Sequence, residues 1–513
     1  MSVTASAGTR APSESGRALG LLRAAPGWVA LGTAGSVLLA LAGSRLAGGP
    51  VRWFFDPKIP PGGEANRIAL YVGMAMLAAG WLGLGRYATS RSARPRELWP
   101  VGVLWSLAPA IAAPLFSHDV YSYLAQGTIA HLGLSPYNVA PSALAGLGHA
   151  HVMSAVDPFW LHTTAPYGPL FLVFGSGIAA LTGSHLIAGV LLMRLLELVG
   201  LVLVWAFVPR LARALGADPT RAAWLAALSP LVLLQLVAAS HNDLLMIGLM
   251  VAGVTLAVEG RPLAGIAVCA VAMAIKLPAG VAALFIAVAW LRADASWRAR
   301  VRHAAEAAAV VAGVAAVVSV ATDWGLHWVS ASLFSTPARV RLAITPSTGT
   351  AWTLSSLLND LGVHAVFHHV ESVTRALSAV ITGAFALWML VRTRPGNLVA
   401  PLGIALLALA FGGPAAWPWY LAWGVVLLAA TASFQRSRAV PIAIVVAAFL
   451  VKPNGILLLP LQSAPYVVLV YLLIAAGAWY AWTRRRRRSD AGPAPADPIA
   501  PAPRSALART PVG

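Results

Sequence analysis

Apolar stretches of about 13–23 residues recur along the whole chain, most of them close to the roughly 20 residues that carry an α-helix across a bilayer, the shorter ones Gly- or Pro-bounded and suited to tilted, broken or re-entrant helices. They fall at 27–47, 67–86, 98–116, 186–208, 222–240, 244–258, 262–275, 279–291, 304–321, 372–391, 397–413, 419–432, 438–452 and 465–482. A segment surrounded by hydrocarbon must pair its own backbone N–H and C=O groups, so fourteen such runs with no alternating pattern predict helices, not strands. Composition agrees: 59% of the 513 residues are apolar and only 10% are charged, against about 25% charged in soluble domains. A soluble globular enzyme is excluded. The expected fold class is an all-α integral membrane protein with about 14 transmembrane helices, the membrane domain spanning 26–483.

The formal net charge is +19, with a sequence pI near 11.2. On a soluble protein this would suggest nucleic acid, but no soluble basic domain exists to carry such contacts. The arginines instead mark orientation, because short cytoplasmic connections retain Lys and Arg. With the N-terminus inside, 26 of the 36 basic residues lie on the cytoplasmic side, among them Arg86, Arg210, Arg261, Arg292, Arg392, Arg436 and the run Arg484 to Arg488. Seven acids accompany them, and the remaining bases and acids cancel, so the charge is a topology signal. The assignment requires that Pro169 to Thr182 form a juxtamembrane or re-entrant helix and not a span. Residues 1–25 and 484–513, the latter basic and then Pro/Ala-rich, read as disordered cytoplasmic tails. The single cysteine, Cys269, excludes a disulfide framework and reads as a small buried residue.

Two exterior loops follow, 117–185 and 322–371, long enough to imply an extracytoplasmic working surface. The first opens at the end of the third span with Ser117-His118-Asp119-Val120-Tyr121-Ser122-Tyr123. The fifth and sixth spans are joined outside by little more than Ser240-His241-Asn242-Asp243. Two carboxylates beside histidines are thus delivered to one face, where an ionisable group at a span end reads as functional. Asn242 or Asp243 also suits the N-cap of the sixth span. Arg194 and Glu197, three apart within the fourth span, read as a structural ion pair. Acids gathered at one face favour chemistry over translocation, which would need charges along a pathway between both faces.

The loop text carries a resemblance. Leu115-Phe116-Ser117-His118-Asp119-Val120-Tyr121-Ser122-Tyr123, followed by Gln126-Gly127 and Gly133-Leu134-Ser135-Pro136-Tyr137, resembles the actinobacterial polyprenol-phosphomannose-dependent α-1,6-mannosyltransferases of lipomannan synthesis. Trp160-Leu161-His162-Thr163-Thr164-Ala165-Pro166-Tyr167-Gly168-Pro169-Leu170 is similar to a second block of that family. Weaker likenesses are His241-Asn242-Asp243, Ile275-Lys276-Leu277-Pro278 and Trp417-Pro418-Trp419-Tyr420. The family belongs to the GT-C class of multi-span glycosyltransferases. The resemblance implies a polyprenyl-phosphate sugar donor, a lipid-anchored α-1,6-mannan acceptor and an acidic residue in the first exterior loop, here Asp119. The family more often has arginine where this chain has His118.

A sugar leaving a polyprenyl phosphate departs from a phosphate anion and needs no general acid, so one carboxylate that takes the acceptor's proton suffices for inversion. Asp119 is the candidate base, with His118 beside it. His241, Asp243, Tyr121 and Tyr167 are candidates for the acceptor or a second site. Lys276, Arg339 and Arg341 are candidates for the donor phosphate, which needs positive charge at a low-dielectric rim. Tyr121, Tyr123, Tyr137, Trp160, Tyr167, Trp417, Trp419 and Tyr420 suit either sugar stacking or an interfacial aromatic belt. His364, His368 and His369 could ligate a metal, but a lone cluster without an inward carboxylate partner is a weak signal, and neither a metal nor a cofactor is expected. A transferase for another polyprenyl-phosphate sugar, or a lipid-linked sugar transporter or flippase, remains an alternative.

Overall fold

The computed structural model of the chain describes residues 25–46, 51, 53, 63–90, 93–293, 296–332, 340–364 and 366–490. Arg339 and the tails at 1–24 and 491–513 lie outside the described residues. Among those described the fold is helical throughout, with isolated bridges at Arg394–Asn397 and Val451–Leu457 in place of named strands. In chain order the principal helices begin with α1 (Pro26–Leu46), α2 (Glu64–Ser90), α3 (Pro95–Ile111), α4 (Asp119–His131), α5 (Pro169–Thr182) and α6 (Leu186–Ala214). Next come α7 (Pro219–Leu225), α8 (Pro230–Val232, continued by a π-turn over Leu233–Ala238), α9 (Asp243–Val258), α10 (Pro262–Met273), α11 (Ala279–Leu291) and α12 (Trp297–Thr322). The series ends with α13 (Pro346–Asp360), α14 (Phe367–Arg392), α15 (Val399–Gly412), α16 (Ala422–Leu428), α17 (Ala439–Phe449) and α18 (Ala464–Asp490).

Every apolar run coincides with helix, as the backbone-pairing argument requires. Six helices among the described residues are at least 18 residues long and apolar enough to cross a bilayer: α1, α2, α6, α7 with α8, α12 and α14. Eight further apolar segments of 10–17 residues accompany them. This is a membrane protein.

Departures from the sequence boundaries have local causes. The third run ends at Ile111 because Pro114 cannot continue the ladder and Phe116 sits at φ 65°. The fifth is broken after Leu225; Ser229 caps its second half by accepting the Val232 N–H at 3.3 Å, and Pro230 occupies the first helical position. α18 runs to Asp490, so the arginine run placed in a disordered tail is helical instead.

The helix ends sort into two groups. At one end Leu115 N–H donates to the Ala238 carbonyl (3.0 Å), and Gly168 N–H donates to Ile275 (2.9 Å), gathering the turns after α3, α8 and α10. At the other, Arg210 pairs with Glu259, Gln435 Nε2 donates to the Asp218 carbonyl at 2.8 Å, and Arg292 Nη1 donates to Thr393 at 2.7 Å. Helix contacts within the bundle are close. A Cβ on Gly200 of α6 would collide with the Leu244 carbonyl, and one on Gly248 of α9 with Gly200 itself, so small residues set this crossing. Trp81 and Trp224 stack at 4.6 Å and each donates its indole N–H to the other's carbonyl at 2.9 Å, locking α2 to α7.

α4 and α5 both start at the first end, at Asp119 and Pro169, and run alongside one another. Tyr123 meets Phe171 edge-on at 5.1 Å, and one turn further a Cβ on Gly127 would strike the Gly175 backbone. α5 then ends with Thr182 beside Gly189 in the first turns of α6.

Candidate active site

Two strained turns build the site. α3 and α8 end in non-glycine residues in the left-handed region, Phe116 at φ 65° and Ser240 at φ 55°, a conformation that costs about 1–3 kcal/mol and persists only where surroundings enforce it. Between the two helix ends lies Arg194 of α6, whose side chain is buried. Its Nη1 donates to the carbonyls of Ala110 (2.9 Å) and Ala112 (2.6 Å), its Nη2 to Ala238 (3.1 Å) and its Nε to Ser240 Oγ (2.8 Å). The final carbonyls of a helix lack partners within it, and a cation there also meets the negative end of the dipole. Arg194 thus closes two helices at once, in place of the ion pair with Glu197 read from the sequence. From those closed ends the chain turns sharply into Ser117–Asp119 and into His241–Asp243.

Asp119 opens α4, with His118 as its N-cap residue. Its Oδ1 accepts the indole N–H of Trp160 at 2.8 Å, and its Oδ2 lies 3.7 Å from His241 Nε2. His241 is fully buried, stacked on Trp419 at 4.1 Å, with Nδ1 at 2.5 Å from the Gln235 carbonyl. A carbonyl only accepts, so Nδ1 carries the proton and Nε2 presents its other face to Asp119. The carboxylate therefore has one oxygen oriented by a fixed donor and one left beside an imidazole.

Asp243 is also fully buried, but it belongs to a different unit. Its Oδ1 accepts from Trp423 Nε1 at 2.7 Å and its Oδ2 pairs with Lys276 Nζ at 2.7 Å. Lys276 also donates to Asn242 Oδ1 at 3.3 Å and lies over the Tyr420 ring at 4.9 Å and the Tyr167 ring at 5.8 Å. A buried pair of this kind neutralises itself, and removing either partner would strand the other charge. Asn242 begins α9 without a side-chain cap, its oxygen being held by Lys276. Between the two carboxylates runs an aromatic ladder, with Trp417 on Trp419 at 4.5 Å and Tyr420 on Trp423 at 4.4 Å.

A cleft of about 320 Å³ opens above Asp119. Its walls include His118, Asp157, Trp160, Arg341, Trp419 and the turn at Asn454-Gly455. His118 Nδ1 lies 3.8 Å from Asp157 Oδ2. The neighbouring His118, helped by the Phe159 N–H, holds the Asp157 carboxyl below the ordinary carboxylate range against the opposing effect of burial. Arg341 Nε donates to Glu371 Oε2 at 2.9 Å, and Arg375 Nη2 forms an ion pair with Glu371 Oε1 at 3.0 Å. Two guanidiniums share one carboxylate, which leaves net positive charge beside the cleft; His368 lies 3.7 Å from the same Glu371.

The structure thus brings together His118 with Asp119, His241 and Arg341 from three separate segments. Asp243 and Lys276 meet one another below the cleft and do not line it. Tyr121 and Tyr167 are buried behind Asp119, Tyr167 with its carbonyl held by the Tyr137 hydroxyl at 2.8 Å and its ring against Tyr123. Like Asp243, they are not among the residues that line the cleft. Sequence reading missed the roles of Trp160, Asp157, Gln235 and Glu371. Trp160 stood in a recognised block but as a stacking surface; its indole N–H partner, 41 residues away, has no local signal.

Residues 29–292 match the family described as alpha-(1->6)-mannopyranosyltransferase, N-terminal domain, and residues 345–484 match the MptB C-terminal domain. The chain is 35% identical over 430 residues to alpha-(1->6)-mannopyranosyltransferase A of Mycobacterium tuberculosis, covering 80% of this chain and 81% of that protein. It is 36% identical over 471 residues to a probable alpha-(1->6)-mannopyranosyltransferase of Mycolicibacterium smegmatis, covering 83% of each. Alpha-(1->6)-mannopyranosyltransferase A of Corynebacterium glutamicum is 29% identical over 394 residues, which is 71% of this chain and 79% of that one. No solved structure matches. Family models across most of its length and relatives above 30% identity place this chain in the alpha-(1->6)-mannopyranosyltransferase family.

Proposed function

We propose that this chain transfers mannose from polyprenol-phosphomannose to an α-1,6-mannan acceptor, a precursor of lipomannan and lipoarabinomannan, with inversion and on the extracytoplasmic face. The observation that carries the reading is the oriented carboxylate of Asp119, in a cleft that Arg341 also lines. In the reaction the acceptor hydroxyl oxygen bonds to the anomeric carbon as the bond from that carbon to the donor phosphate oxygen breaks, its electron pair leaving with the phosphate. The hydroxyl proton passes to Asp119 Oδ2, the oxygen not held by Trp160. His241 Nε2 beside it holds the protonated carboxyl in place and accepts the proton onward. The departing phosphate gains charge, which the net positive Arg341–Glu371–Arg375 cluster stabilises. Lys276, its charge matched by Asp243, keeps the floor rigid and leaves the phosphate to Arg341.

The arginine distribution supports an extracytoplasmic cleft. Arg210, Arg292 and Arg436, in the connections read as cytoplasmic, belong to the end of the bundle opposite Asp119. On this reading α5 stays on the outer face, and about 14 spans in a GT-C-like arrangement make up the rest. Incubating the purified chain with radiolabelled polyprenol-phosphomannose and an α-1,6-linked mannose acceptor, then determining the product linkage, tests the reading. A new α-1,6 bond supports it; absence of transfer, or a different linkage, contradicts it.

A further inference from the structure

We propose that Trp419 is a positioning residue for the proton relay: its indole face holds the plane of the His241 ring and stabilises the imidazolium formed when His241 takes the proton from Asp119. The two rings stack at 4.1 Å between centroids and 27° between planes, and both side chains are buried. Trp417 backs Trp419 from the other side at 4.5 Å and 14°, so the rings form one pile that ends on the imidazole beside Asp119. The short 3₁₀ turn Pro418–Leu421 brings Trp419 against the π-turn Leu233–Ala238, and the Gln235 carbonyl of that π-turn accepts from His241 Nδ1 at 2.5 Å. A hydrogen bond along Nδ1 sets the direction of the ring and leaves its plane free to tilt. The stack removes that tilt and keeps Nε2 aimed at Asp119 Oδ2, 3.7 Å away.

The relay changes the charge of His241. The Nδ1–H stays on Gln235, so the proton that leaves Asp119 Oδ2 adds to Nε2; the carboxylate is restored and the neutral imidazole becomes a cation. Burial opposes that cation most strongly, and Lys276 opposes it too, while Asp119, Asp243 and the Gln235 carbonyl favour it. The face of an indole attracts a cation within about 6 Å of its centroid, most of all where both are desolvated. That attraction acts on the imidazolium far more than on the neutral ring, so it favours the proton-accepted state without tightening substrate binding. Trp419 also lines the cleft; a sugar stacked on it would register in KM, whereas the relay registers in kcat. The inference rests on the proton route proposed above and adds what steadies its second stop.

The test replaces Trp419 of the full chain, in nanodiscs, by mono-, di- and trifluorotryptophan, which keep the size and N–H of the indole and progressively drain negative charge from its face. With polyprenol-phosphomannose and an α-1,6-linked mannose acceptor, kcat is expected to fall stepwise with each fluorine. The fall should reach about tenfold at the trifluoro residue, within the range of a desolvated cation–π contact, with both KM values changing less than about twofold. Trp419→Phe, which keeps a weaker aromatic face, should retain more kcat than Trp419→Leu. The same fluorinated series at Trp290, whose indole stacks on His303 at 4.0 Å at the opposite end of the bundle, should leave kcat unchanged. An equal decline at Trp290, or a change at Trp419 confined to KM, would overturn the proposal. A flat series at Trp419 while His241→Asn is impaired would overturn it and leave the proton route intact. A flat series with His241→Asn unimpaired, or no transfer by the unsubstituted chain, would overturn both.

Discussion

Trp160 Nε1 donates to Asp119 Oδ1 across 2.8 Å, although 41 residues separate them. The bond fixes one carboxylate oxygen and leaves the other facing His241. It explains why two separate blocks of the first loop belong to one site. Trp160→Phe keeps an aromatic ring and removes the N–H together with the rest of the pyrrole ring. A hydrogen bond to a charged group contributes about 1.5–3 kcal/mol, so kcat is expected to fall about ten- to a hundredfold, with KM for the donor changing less than about threefold. Steady-state kinetics on purified protein check this.

His241 tests the onward path of the proton. In His241→Asn the amide can still donate to the Gln235 carbonyl, but nothing replaces Nε2 beside Asp119. Expected is a loss of about ten- to a hundredfold in kcat, within the range of a lost proton-transfer partner, with donor binding retained. Unaltered kcat would confine His241 to packing on Trp419.

Arg194→Lys should be far from conservative. A lysine cannot reach all four acceptors that the guanidinium bridges, and each buried carbonyl left unpaired costs about 1–3 kcal/mol. Thermal unfolding in detergent is expected to drop by several degrees. Activity per folded molecule should drop too, because the turns bearing Asp119 and His241 lose their shared anchor.

Asp157 gives a pH prediction. Its pairing with His118 lowers its folded value, so its contribution is complete above about pH 4, the ordinary carboxylate range, and is lost only as pH falls through that lowered value. Asp157 therefore stays ionised across any practical assay range and cannot produce the acid limb of the rate profile. Asp157→Asn should move that limb by less than about half a unit, its half-exposed charge being largely screened. A larger displacement would assign the limb to Asp157.

Much of the fold was legible because hydrocarbon leaves the backbone no option but helix. The helix over 279–291 matches its apolar run residue for residue, and α1 is offset by one. Asp119 and His241 were legible as candidates because both stand at span ends. What neither periodicity nor composition conveys is pairing across the bundle. Lys276 and Asp243 looked like two site residues and are one ion pair. Arg194 looked bound to its neighbour Glu197 and instead closes α3 and α8. Glu371, which pairs with two arginines beside the cleft, sits in the first turns of a helix whose sequence gives no sign of the role.

The central claim is that Asp119 takes the acceptor's proton, and the transfer rate of purified Asp119→Asn tests it most directly. With polyprenol-phosphomannose as donor and an α-1,6-linked mannose acceptor, kcat should fall by about 10³-fold, within the range for removal of a general base. Donor binding and thermal stability should stay near wild type. Turnover within tenfold of wild type by a correctly folded variant would contradict the account.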